Sequence, residues 1–128
     1  MNTLNPIKIL PHRYPFLMLD DIISVENGKA TGIKKITLEL FSKGLIFPQV
    51  LLIEALAQLS GVASGIEGQG MLVGIKEFAF HSVVICGDVL ILESTLNKRF
   101  GNILDFSVSA TVENKRVLNG YILLSINA

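Results

Sequence analysis

One segment limits the folds open to this chain more than any other: VLLIEALAQLSGVASGI, Val50 to Ile66. Leu, Ala, Glu and Gln dominate it, and all four are helix formers. Pro48 stands at its start, and Gly65, Gly68 and Gly70 follow it, the order in which helices open and close. The composition predicts a helix from Pro48 to about Ser64. It is apolar nearly all round, and such a helix is buried. It falls short of the ~20 residues that cross a bilayer, and it holds Glu54, Gln58 and serines. The rest of the chain has to supply a wrapping for it.

That wrapping reads as strand. Leu17 to Glu26 and Ala30 to Leu38 flank Asn27-Gly28, a strong hairpin signal. An irregular stretch, Glu39 to Phe47, leads to the helix. Downstream come Leu72 to Phe80, Asp88 to Arg99, Leu104 to Glu113 and Arg116 to Asn127. Turns fall at Cys86-Gly87-Asp88, Phe100-Gly101-Asn102 and Asn114-Lys115. Asp105 to Val112 alternates as a half-buried antiparallel strand does. Near the start, Asn5 caps a short helix opened by Pro6 and stopped by Pro11. One helix among antiparallel strands is an α+β class. No linker or repeat divides the 128 residues, so a single domain over residues 1–128 is expected.

Eleven Lys and Arg balance eleven Asp and Glu. That charge gives no reason to bind nucleic acid or an anionic membrane. Hydrophobic residues reach 50% and charged ones only 17%. A real core is assured, and part of the surface is left apolar, as at an oligomer interface. Cys86, the single cysteine, has no internal disulfide partner and reads as a small packing residue in a reducing compartment. Two His and one Cys make no spaced metal cluster. There is no glycine-rich phosphate loop, so neither metal nor nucleotide cofactor is expected. The N-terminal residues lack a signal-peptide pattern, and a cytoplasmic location is expected.

At 100° per residue, Glu54, Gln58, Gly61 and Gly65 fall on one narrow stripe of the helix. On spacing alone it is either a solvent face or the lining of a cleft or subunit interface. In the second case Glu54 is partly desolvated, and desolvation moves a carboxyl toward the range useful for acid–base work. The amides at Gln49 and Val50 lack intrahelical acceptors and carry the positive end of the dipole. They can polarise a carbonyl oxygen. A carbonyl held there and a carboxylate further along suit chemistry on an acyl group.

Three stretches resemble one family. ILPHRYPFLMLDDI (Ile9 to Ile22), FPQVLLIEALAQLSG (Phe47 to Gly61) and VGIKEFAFHSVVICGDVLILE (Val73 to Glu93) are similar, in order and spacing, to motifs of the FabZ-type 3-hydroxyacyl-[acyl-carrier-protein] dehydratases. The resemblance implies a hotdog fold, a curled antiparallel sheet around one long helix. It implies dimers paired sheet edge to sheet edge, sometimes assembled to hexamers. It implies a lyase of fatty-acid or related acyl metabolism that removes water from a 3-hydroxyacyl thioester, with acyl carrier protein as partner. The family's site uses a histidine from one subunit and a glutamate from the other. Carried over, Glu54 matches the catalytic glutamate and Gln58 the glutamine one turn later. Leu10, Pro11 and His12 match the tunnel mouth, and His81 falls beside the acyl tunnel.

The departures are specific. The family carries Gly-His-Phe-Pro-Gly before the helix, and its His is catalytic. Here the loop Glu39 to Phe47 is several residues shorter and has no His. Gln49 stands for the family's Gly, and Cys86 for the Pro of Pro-Gly-Asp. Three readings follow. A dehydratase works with Glu54 alone or with His12 or His81 as base. A hotdog thioesterase uses Glu54 to activate water, on carrier-protein or coenzyme A thioesters. A non-catalytic acyl-binding chain completes its site with a His-bearing paralogue, making a heteromer.

Overall fold

A computed structural model of the chain describes residues 5–6, 19–37, 46–65 and 70–126. Elements follow as β1 (Asp21–Glu26), β2 (Lys29–Lys35), α1 (Gln49–Ala63), β3 (Gly70–Phe80), β4 (Val89–Phe100), β5 (Ile103–Val112) and β6 (Lys115–Ile126). Of the expected N-terminal helix only Asn5 and Pro6 lie within the described residues, and Leu17, Met18 and Leu38 lie outside them.

The six strands form one antiparallel sheet in the order β1-β2-β4-β5-β6-β3. Asn27 and Gly28 both take positive φ, 48° and 78°, as a two-residue hairpin of the primed kind requires. The β5–β6 turn has the same form at Glu113 and Asn114, with φ of 50° and 67°. That is one residue earlier than the sequence places it. Asn is common at positive φ, whereas Glu gives no turn signal. Register shifts in β1, β3 and β4 bend those strands, which curls the sheet.

Helix α1 lies in the curl. Leu52, Ala55, Leu56, Leu59, Val62 and Ala63 are buried in one cluster with Leu90, Leu92, Phe106, Leu118 and Ile122 of the strands. Each fully buried Leu, Ile or Phe contributes about 1.5–3 kcal/mol. A polar tie fixes the helix in this core. Ser60 Oγ donates to Leu56 O at 2.8 Å and lies 2.7 Å from Ser94 Oγ of β4. Gly65, at φ 69°, ends the helix as expected. A buried helix held in a curled antiparallel sheet is the α+β hotdog arrangement.

Two edges remain. β3 pairs only with β6, and Met71, Val73 and Ile75 along it are exposed. Near its end the strand bulges between Lys76 and Ala79, with Glu77 at φ 50°. Phe78 is thereby laid on Gly120 of β6, where an added Cβ would lie 2.7 Å from the ring. Only glycine fits beneath that ring.

Candidate active site

The site is built around the start of α1. Pro48 caps the helix with extended backbone, no side chain caps it, and no acidic residue lies in its first turn. Leu51 N–H reaches Pro48 O at 3.1 Å. The amides of Gln49 and Val50 have no intrahelical acceptor, and both residues are exposed. What holds this end in place is the segment before it. Ile46 bridges Ile85, and Phe47 N–H donates to Val84 O at 2.7 Å. The Phe47 side chain is buried.

Val50, Glu54 and Gln58 follow at four-residue steps and so share one helix face. Val50 is 68% exposed and Gln58 3%, with Glu54 half-buried between them. The stripe therefore enters the interior at Gln58 and comes back out through half-buried Gly61 to exposed Gly65. A Cβ added to Gly61 would meet no atom within 4 Å. Helical side chains lean toward the helix N-terminus, and one turn is about 5.4 Å. Glu54, half-buried, thus leans toward the amide-bearing end of the helix.

His81 is exposed and its Nε2 lies 2.6 Å from Asn119 Oδ1. Asn119 belongs to the outer face of the sheet, since Leu118, Gly120 and Ile122 of the same strand turn inward and are buried. It lines a polar groove of about 250 Å³ there with Glu93, Ser107, Ser109, Arg116 and Tyr121. Within one chain, then, His81 and Glu54 are not brought together. Leu10, Pro11 and His12, and the loop from 38 to 45, lie outside the described residues. Cys86 is a half-buried free thiol in the turn before β4. Among the described residues no three of His, Cys, Asp and Glu gather as metal ligands. No helix among them is long and apolar enough to cross a membrane.

Sequence reasoning passed over two buried charges. Asp105 is 3% exposed, pairs with Lys76 Nζ at 3.4 Å, and leaves Oδ1 without a hydrogen bond. Lys34 is 2% exposed. The signal was present for Lys34. It falls on the inward parity of β2 with Ala30, Gly32 and Ile36, all buried. The inward side is the helix side, since a Cβ on Gly32 would lie 3.1 Å from Leu59.

A FabA-like domain family matches residues 10–120. The chain is 42% identical over 132 residues to a 3-hydroxyacyl-[acyl-carrier-protein] dehydratase FabZ of Listeria welshimeri, covering 94% of this chain and 92% of that protein. It is 42% identical to the FabZ of Caldicellulosiruptor saccharolyticus, with 94% of each covered. The matched length of 132 residues exceeds the 128 of this chain, so the relatives hold residues that it lacks. Among solved structures, the dehydratase heterocomplex ApeI:P from Xenorhabdus doucetiae superposes with a TM-score of 0.87 at 20% identity, over 99% of this chain and 93% of that one. The match across nearly the whole chain, and at this identity, settles its kinship: the chain belongs to the FabA-like family, among the FabZ-type 3-hydroxyacyl-[acyl-carrier-protein] dehydratases.

Proposed function

We propose that the protein acts on 3-hydroxyacyl and enoyl thioesters, with Glu54 as its proton-handling carboxylate. The observation that carries the reading is the placement of Glu54 behind the helix start. A half-buried carboxylate stands one turn inside an uncapped helix start with free amides at Gln49 and Val50. Dehydration moves the C2 proton to a base. The C2–H electron pair becomes the C2–C3 double bond, and the C3 hydroxyl leaves with a proton as water. Negative charge grows on the thioester oxygen as the proton leaves, and the helix-start amides are placed to hold that oxygen. Glu54 exchanges the proton at the reacting carbons. Gln58, one turn deeper, fixes the dry end of the cleft. By the family resemblance, Leu10, Pro11 and His12 are assigned to substrate binding. The thioester is carried by acyl carrier protein or coenzyme A, in the cytoplasm.

A second chain of the same fold pairs along β3. A specific feature favours a paralogue as that chain: residues 39–47 hold no histidine, and His81 is engaged with Asn119 on the outer face. The other half of the acid–base pair then comes from the paralogue. ApeI:P, itself a dehydratase heterocomplex, is an assembly of the kind this reading requires.

Enoyl-thioester hydration, followed in the ultraviolet beside thiol release, tests the proposal. Hydration by the chain mixed with a His-bearing paralogue that drops at least about 100-fold in Glu54→Gln is the expected result. Thiol release lost in the same variant would move the protein to the hydrolases. A folded chain silent in both assays, and active once mixed with a His-bearing paralogue, would establish the heteromer.

A further inference from the structure

We infer that Lys34 is a positioning residue of the acyl site, holding the start of α1 in the orientation that receives the thioester carbonyl. The inference rests on the acyl-thioester reading above.

A lysine is an odd choice for its position. β2 turns Ala30, Gly32 and Lys34 toward the helix, and buried Ile36 just past it keeps the same parity; Lys34 pairs across the sheet with Leu90, itself fully buried. Its ammonium lies over the Phe47 ring, 5.9 Å from the centroid. Among the described residues no carboxylate lies within ion-pair distance of it. Asp20 acts on it electrostatically, but Asp20 is exposed and its Oδ2 accepts the Lys35 backbone N–H at 2.6 Å. A charge in such a place is a poor stabiliser, and a well-packed apolar side chain of similar length commonly matches or exceeds it. Folding alone does not account for an amine here.

What the ammonium touches gives it a task. Phe47 is the residue before the helix-capping Pro48. Lys34 grips its ring from β2, while the Val84 carbonyl grips its backbone N–H. Neither a capping side chain nor an acidic first turn steadies this helix end. The seat of Phe47 thus helps set the orientation of the Gln49 and Val50 amides, and Lys34 forms one side of that seat. Attraction between a cation and a ring face has a direction that apolar packing lacks.

The test uses two ligands: an enoyl-pantetheine thioester, and the matching thioether without the carbonyl. Wild type, Lys34→Met and Lys34→Arg are titrated with each by calorimetry, and each is melted. Lys34→Met is expected to melt at or above the wild-type temperature, to bind the thioester about tenfold more weakly, and to bind the thioether within about twofold of wild type. Lys34→Arg, which keeps the cation, is expected to recover most of the thioester affinity. Phe47→Leu, which removes the ring, is expected to repeat the selective loss. Unchanged thioester binding in Lys34→Met, or an equal loss of both ligands, would overturn the positioning role while leaving the acyl reading in place. A Lys34→Met chain that fails to fold would overturn it too, by making the lysine structural. Wild type that binds neither ligand would overturn the acyl reading, and this inference with it.

Discussion

Lys34 is where the physics of a single side chain has the widest reach. Burial holds its ammonium below the ordinary lysine value of 10.5, with Asp20 opposing the shift. Between the lowered value and 10.5 the unfolded chain binds more protons than the folded one, so stability rises with pH across that window. Below the window both states are protonated and the full cost of the buried charge remains. Wild type is therefore expected to gain stability relative to Lys34→Met on going from neutral pH toward about 10. Denaturant unfolding of the two proteins at both pH values measures this, and a constant difference would contradict it. At this scale Glu54 and Gln58 were legible, because helical spacing alone puts them on one face. His81 was not, because its partner Asn119 is 38 residues away and no local pattern foretells a contact across two strands. Lys34 could have been found by extending the parity of β2 one step, from Ala30 and Gly32.

Among the elements, turns and helix were open to sequence reading because their chemistry is local. Asn27-Gly28 declares its turn by the two positive φ values it adopts, and the apolar helix declares its burial. The β3 bulge was hidden. It depends on Phe78 folding over Gly120, a fit between two strands that neither sequence segment reveals. Gly120→Ala is expected to destabilise the protein by about 1–3 kcal/mol, since the added methyl would displace a ring and not a flexible chain end. Adding Phe78→Leu, which removes the ring, is expected to recover part of that loss. Thermal melts of the single and double variants decide the matter. Two variants whose losses simply add would place the cost elsewhere.

The molecule as a whole is a six-stranded sheet with an apolar edge at β3. The low charge content and apolar composition already pointed to a partly apolar surface, and β3 presents one, an 11-residue strand at the sheet edge with exposed Met71, Val73 and Ile75. Edge strands that remain alone are usually shortened, charged or covered. Sedimentation is expected to show a dimer for the wild type, and a shift to monomer at micromolar concentration for Val73→Glu. A wild type that stays monomeric would remove β3 as the interface. Which partner fills the edge was never legible, because identical backbone hydrogen bonds suit a second copy and a paralogue alike.

That open edge also governs how much of the protein a cell can keep. When a chain is completed by association, its folded population follows the supply of the complementary chain by mass action. Copies left unpaired retain a long apolar strand ready to template others, and they are the ones lost to aggregation or proteolysis. Dosage thus becomes part of the fold: the usable amount of this protein follows how fully its β3 edge is paired.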